Sequence, residues 1–236
     1  MSGIDDITEA RKQKRAALDE FAGKRFLASF GVSVPKSLVI QDATEAAAAC
    51  SKLKLPVVLK VVSPDILHKS DAGGVKVGLG NAGEVEEALR AMMKHPAIEN
   101  ARIDGFLLEE MAPAGLEIVV GGLRDPQFGP LVMVGLGGIF VEVLADVSFR
   151  ICPITRLDAE EMLDELKGAV LFRGARGRNP VSREAIVDVL LKIGGEKGLM
   201  MTHGDDIAEA DINPIIVSEH AAVAVDARFV LTQPKN

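Results

Sequence analysis

Apolar residues fall at helical spacing over residues 16–30, where Ala17, Leu18, Phe21, Phe26, Leu27 and Phe30 share a face and Gly31 stands where a C′ glycine ends a helix. Residues 1–15 are polar and predict a frayed extension. A β-rich run over 34–40 leads to Asp42 or Thr44 as the cap of an alanine-rich helix reaching Leu53. A third helix, over 84–95, turns Val85, Leu89 and either Met92 or Met93 inward. Strands are predicted over 106–109, 116–124 and 131–135, with a break at MAPAG (111–115) and a turn at DPQFGP (125–130). Residues 139–151 read as a strand pair or one bent strand. Two helices follow, over 158–169, where Asp158 and Glu161 have capping-box spacing, and over 182–193. Strands over 210–217 and 222–231 close the chain. Helix-rich and hairpin-rich parts meet near Glu110, which predicts two α+β lobes hinged there.

One stretch breaks this regularity. Residues 55–79, LPVVLKVVSPDILHKSDAGGVKVGL, run from an apolar strand through a polar loop into a short second strand at 75–79. Lys60 sits inside the apolar strand, where a charge is costly unless something pairs with it. The loop supplies His68, Lys69, Ser70 and Asp71, and Gly73 and Gly74 precede the second strand. A lysine beside a histidine loop and a Gly-Gly pair points to an anionic partner, and phosphate is the first choice.

Composition narrows the classes. The net charge of −7 over 236 residues argues against nucleic acid as a partner, and with no Trp or Tyr there are few platforms for stacked bases. Cys50 and Cys152 fit no metal spacing and read as buried small residues. No apolar run approaches the length of a membrane span, and the N-terminus has no leader-like apolar stretch, so a cytoplasmic protein away from membranes is expected. Several phosphate motifs fail. There is no G-x-x-x-x-G-K-[ST], and in the Gly135–Gly137 region Phe140 stands where a dinucleotide fingerprint needs its third glycine. Nor is there a Gly-x-Ser-x-Gly elbow, and His68, His95, His203 and His220 make no zinc pattern.

The closing strands allow a register calculation. If their turn centres on Glu219 and His220, paired positions place Asn213 opposite Asp226 and Asp211 opposite Arg228, all on one side. The other side then carries Ile212, Pro214, Ile216, Val223, Val225, Ala227, Phe229 and Leu231 as a core face. Opposed Cβ atoms lie roughly 5 Å apart, so Asn213 and Asp226 can share a hard cation such as Mg²⁺. A solvated polar face with an Asp211–Arg228 pair fits the hairpin alone equally well.

Taken together, the segments KVVSPDILHKSDAGGVKVGL (60–79), LLEEMAPAGLEIVVGGLRDPQFGP (107–130), VGLGGIFVEVLADVSFRICP (134–153), GARG (174–177) and DINPIIV (211–217) follow a familiar order. The chain resembles the ATP-grasp (β) subunit of NDP-forming acyl-CoA synthetases, the ADP-forming acetyl-CoA synthetase family, and more distantly the succinyl-CoA synthetase β subunit. The resemblance implies an α+β ATP-grasp fold of two lobes, 16–109 and 110–236 after the extension 1–15, with the nucleotide bound between them. It implies ATP/ADP and Mg²⁺ as cofactors. By position, Lys60 contacts the nucleotide phosphates, assisted by Lys69 and Ser70. Gly73, Gly74 and Val75 form a glycine hairpin that covers them with backbone N–H groups. Glu109, Glu110 and Met111 form the hinge that reads adenine, and Glu117 holds the ribose. Asn213 and Asp226 become the Mg²⁺ ligands. His68 matches a histidine that carries a phosphoryl group between subunits, a role that suits a good nucleophile at neutral pH. Glu142 and Arg176, with Arg173, organise phosphate or an incoming partner histidine; an edge-strand carboxylate and a loop salt bridge remain open for them.

Family members also need a CoA-binding domain and flavodoxin-like domains, which the resembling segments leave no room for. The expectation is therefore either a domain excised from a fused enzyme or, as the favoured reading, a β subunit working with a separate α subunit in an α2β2 assembly. Together they would interconvert acyl-CoA, ADP and phosphate with acid, CoA and ATP. A non-catalytic adenine-nucleotide sensor that keeps the fold is the alternative, although a sensor needs no phospho-acceptor. A stand-alone carboxylate–amine ligase would need an acid-activating site for which the sequence offers no residues.

Overall fold

The computed structural model describes residues 3–66, 69–138, 145–174 and 179–232. The chain divides into two units: residues 1–34 with 113–236, and residues 35–112. The later division falls close to the break read near Glu110. Residues 16–34, expected in the N-terminal lobe, instead belong with the C-terminal part.

The first unit is built on a seven-stranded sheet. Its strands are β1 (Ala17–Leu18), β6 (Leu116–Asp125), β7 (Gly129–Leu136), β8 (Val147–Ile151), β9 (Ile207–Val217), β10 (Ala222–Ala224) and β11 (Arg228–Leu231). They run in the order β1-β11-β9-β6-β7-β8, with β10 also pairing β9. The helix expected over 16–30 is therefore shorter. Ala17 and Leu18 pair with Val230 and Phe229, and α2 starts only at Glu20 (Glu20–Ser29), capped by Asp19 accepting from the Ala22 N–H. Gly31 follows with φ +76°, as a C′ glycine requires. The N-terminal extension is also structured. Helix α1 (Gly3–Lys12) buries Ile7 and Ala10, and Asp6 pairs with Arg25 of α2.

Helix α2 departs from the expected apolar face. Phe26 and Leu27 are buried as predicted, but so are Glu20, Gly23 and Lys24, while Phe21 lies half-buried beneath the Arg25 guanidinium. In the same apolar cluster as Phe26 and Leu27, α6 (Arg156–Glu165) and α7 (Arg183–Gly194) bury Met162, Leu163, Ile186 and Leu190 together with Val132 and Val134. The capping box of α6 is formed by Thr155 and Asp158, three residues earlier than the Asp158–Glu161 spacing suggested. Asp158 is thus the returning acid at N3, its carboxyl held below the ordinary carboxylate range by the Thr155 hydroxyl and N–H. Thr155→Ala should cost about 1 kcal/mol, measured by denaturant unfolding, because the hydroxyl's bonds with the Asp158 N–H and carboxylate are lost while the Thr155 N–H keeps its own.

The second unit is a four-stranded antiparallel sheet ordered β2-β5-β3-β4: β2 (Ser37–Ile40), β5 (Gly105–Glu110), β3 (Val57–Val62) and β4 (Val75–Leu79). Helices α3 (Ala46–Cys50) and α4 (Ala82–Met93) cover one face. The alanine-rich helix stops at Cys50 and is preceded by a 3₁₀ turn that Asp42 caps. Met92 is the inward methionine of α4 and Met93 is exposed. That face buries Val57, Leu59, Val61, Phe106 and Leu108 in the unit's apolar cluster. Alternation puts Val58, Lys60, Leu107 and Glu109 on the opposite face, outside that cluster.

Candidate functional site

Lys60 is buried in the middle of β3, and its cost is offset by Glu109 on the neighbouring strand. Register places Lys60 opposite Leu107 and Val58 opposite Glu109, so the two charges meet diagonally on one face. Lys60 Nζ lies 2.6 Å from Glu109 Oε1, with side chains 9% and 2% exposed. Glu109, expected at the hinge that reads adenine, thus turns its carboxylate to the lysine. Glu110, one residue on, turns the other way and accepts from the Lys54 N–H at 2.9 Å, and Met111 is exposed.

The turn between β3 and β4 folds on itself. Gly73 N–H donates to the Ser70 carbonyl at 3.2 Å and Gly74 N–H to the Lys69 carbonyl at 2.7 Å, while Val61 N–H reaches the Gly74 carbonyl at 2.8 Å. The glycine N–H groups expected to face phosphate are thus satisfied within the turn, as backbone donors must be. Both glycines are required by fit. Gly73 has φ +68° and lies against the His95 ring, while a Cβ on Gly74 would come within 2.5 Å of Val61 Cγ1. His95 itself caps the short helix α5 (Pro96–Glu99), its Nδ1 accepting from the Ala97 N–H. Lys69 is half-buried, Ser70 exposed, and Val75 half-buried on the edge strand β4. His68 lies outside the described residues, as do Glu142 and Arg176; Arg173 is exposed at the end of a 3₁₀ turn.

In the first unit the calculated register holds on both sides of the candidate metal pair: Ala224 faces Ile215, and Arg228 faces Asp211. Asn213 and Asp226 occupy the matching positions between them. The predicted core face holds only in part. Ile212, Ala227, Phe229 and Leu231 are buried, but beyond Asn213 the buried residues are Ile215, Val217, Ala222 and Ala224, not Pro214, Ile216, Val223 and Val225. The faces exchange because the pairing of β6 with β9 slips by one residue between Ile118 and Val120. Asn213 and Asp226 therefore stand where the ribbon changes face, Asn213 exposed and Asp226 half-buried.

Negative charge is crowded there. Burial raises the Asp211 carboxyl above its ordinary value, the Asp226 and Glu209 carboxylates push it the same way, and Arg228 opposes them. An amide and a carboxylate in an anionic setting fit Mg²⁺, which takes one or two protein oxygens and completes its shell from phosphates and water. Among the described residues no group of three or more His, Cys, Asp or Glu is arranged as a metal site. Glu117 is exposed at the start of β6, and its carbonyl accepts from Gly137 N–H at 2.8 Å, which ties it to the glycine loop. A cavity of about 860 Å³ lined by residues 113–116, 171, 179–181 and 218–221 contains none of the candidate residues.

Two features escaped the sequence. Asp146, 3% exposed, accepts from the Lys167 and Gly168 N–H groups and so anchors the chain just after the glycine loop. Glu20 and Lys24 form a buried ion pair at 2.9 Å behind the segment that bears Asp226. Their i,i+4 spacing was the available signal, hidden by the expectation that charges on an amphipathic helix face water. Among the described residues, no helix is long and apolar enough to cross a membrane.

Comparison with known proteins identifies the family. Residues 9–231 match the family model described as an ATP-grasp domain. The chain is 46% identical over 228 residues to acetate–CoA ligase (ADP-forming) I subunit beta of Pyrococcus furiosus, covering 96% of this chain and 97% of that one. It is 43% identical over 211 residues to acetate–CoA ligase (ADP-forming) I of Archaeoglobus fulgidus, covering 89% of this chain but only 30% of that longer one. The dinucleotide-forming acetyl-coenzyme A synthetase 1 of Ca. Korarchaeum cryptofilum, solved with coenzyme A and Ca-AMPCP, superposes with TM-score 0.93 at 42% identity, over 98% of this chain and 100% of that one. The same Korarchaeum protein solved with Mg-AMPPCP, its phosphohistidine segment pointing towards the nucleotide-binding site, gives TM-score 0.84 at 42% identity and the same coverage. By family match, identity and superposition, the chain belongs to the ATP-grasp family and, within it, to the β subunits of ADP-forming acetate–CoA ligases.

Proposed function

We propose that this chain is the nucleotide-binding, phosphoryl-transferring subunit of an ADP-forming acyl-CoA synthetase, paired with a separate CoA-binding α subunit in an α2β2 assembly. The observation that carries the reading is Lys60, a buried cation held by the Glu109 carboxylate in an otherwise apolar strand, which suits it to an anionic phosphate. Lys60 and Lys69 draw charge from the triphosphate, with Ser70, Gly73, Gly74 and Val75 closing around it. Glu110 and Met111 border the base, chiefly through backbone groups, and Glu117 takes the ribose hydroxyls. Asn213 and Asp226 hold Mg²⁺, which when bound offsets phosphate charge during transfer.

The imidazole of His68 attacks the γ-phosphorus of ATP. An N–P bond forms as the bond to the bridging oxygen breaks, and ADP leaves with the electron pair. A histidine of the partner then accepts the phosphoryl group and frees His68. The partner passes it to the acid, and CoA thiolate displaces phosphate from the acyl phosphate. Arg176 and Glu142 organise the arriving partner loop. In the reverse direction the same groups make ATP.

Incubation of the full chain with γ-labelled ATP and Mg²⁺, alone and with its α subunit, tests this. Acid-labile, base-stable label is expected on the wild type and is expected to vanish in His68→Ala. Label that survives the substitution would move the acceptor to another residue, and no label under either condition would end the relay proposal.

A further inference from the structure

We propose that the buried Glu20–Lys24 pair of α2 is a positioning device for Asp226, acting on the metal site through the backbone. The inference rests on the metal role proposed for Asp226. Both side chains are 2% exposed and Lys24 Nζ lies 2.9 Å from Glu20 Oε1. The same ammonium donates to the carbonyl of Val225, the residue just before Asp226, at 3.4 Å. Two residues of α2 fix the other side of this segment. A Cβ on Gly23 would lie 2.8 Å from the Ala227 carbonyl oxygen, and Phe26 packs edge-on against Phe229 with ring centroids 5.2 Å apart.

The segment needs such support. β10 ends at Ala224 and β11 begins at Arg228, so residues 225–227 lie between ladders. Val225 N–H still reaches the Pro214 carbonyl at 3.1 Å, and Asp226 Oδ1 accepts from the Ala227 N–H at 2.7 Å. Holding the Val225 carbonyl fixes the Val225–Asp226 peptide plane and hence the direction in which the Asp226 side chain leaves the backbone. A buried ion pair adds little stability over apolar residues of similar size. Its place directly behind a metal-ligand segment gives it another use, since partners that orient a ligand strongly affect metal affinity.

Mn²⁺ titrated into the full chain saturated with a non-hydrolysable ATP analogue, followed by electron paramagnetic resonance, separates the possibilities. Lys24→Met is expected to weaken Mn²⁺ binding roughly 10–100-fold while leaving metal-free binding of the analogue unchanged. The double variant Glu20→Gln/Lys24→Met, which leaves no unpaired buried charge, should keep the wild-type melting temperature and show the same metal defect. A folded double variant with wild-type Mn²⁺ affinity would overturn the inference, as would an equal loss of metal-free analogue binding. Asp226→Asn is the control. A metal defect there without one in the Lys24 variants defeats the positioning role alone, whereas wild-type Mn²⁺ affinity in Asp226→Asn defeats the metal reading and this inference together.

Discussion

Lys60→Met is expected to lower turnover with ATP at least 10²–10³-fold, on the scale of removing a preorganised charge from a phosphoryl-transfer site, and to destabilise the second unit. The second effect follows from Glu109, 2% exposed at its side chain and 2.6 Å from the lysine. Removing one member of a buried pair takes a close countercharge from the other, at a cost of roughly 3–5 kcal/mol. The double variant Lys60→Met/Glu109→Gln separates the two. It should regain most of the melting temperature, because no charge remains buried, yet regain none of the turnover. Thermal melting alongside steady-state kinetics reads both quantities. A double variant with wild-type turnover would reduce Lys60 to a structural cation.

Gly74→Ala should be nearly as damaging with a single methyl. The added carbon would lie 2.5 Å from Val61 Cγ1 and 3.1 Å from the Lys69 carbonyl oxygen. Val61 is β-branched and fully buried in the apolar cluster, so it cannot yield. The turn must move instead, breaking the Gly74–Lys69 and Val61–Gly74 hydrogen bonds. Overpacking of this kind costs about 1–3 kcal/mol, and the displaced turn should weaken nucleotide binding roughly tenfold or more, since each 1.4 kcal/mol is a factor of ten. Calorimetric titration with ATP measures it. Unchanged affinity would remove the glycine turn from the phosphate site. Gly78→Ala is a useful contrast, because its Cβ would meet open space although φ is +78°.

Much of this was legible in the chain. The closing register could be computed because its turn and polar positions allowed one solution, and the structure keeps it on both sides of Asn213. The core face beyond Asn213 could not, because it depends on a slip against β6, a strand nearly a hundred residues earlier in sequence. Lys60 declared itself by standing among valines, but its partner did not. Glu109 looked like one of two equivalent hinge acids until strand pairing set it beside Lys60 and turned Glu110 towards Lys54. Glu20 and Lys24 went unread for a related reason. Periodicity sorts residues by polarity, and a self-neutralising pair is the one kind of polar group that it sends to the wrong side. The short pairing of Ala17 and Leu18 with β11 carried no local signal at all, since two residues have no period.

That pairing bears on how the molecule is made. β11 lies between β1 and β9, so the earliest strand of this sheet is joined to it through the latest. The second unit, whose sheet is closed entirely within residues 35–112, can finish during synthesis. The first unit must hold α2 and β1 in waiting until residue 231 has emerged, a long-range closure of the slow kind. The Asp226 segment meets Lys24 in that same final event, so the metal site proposed at Asn213 and Asp226 would be assembled only after β11 has emerged, and a nascent chain would be silent towards Mg²⁺ until then.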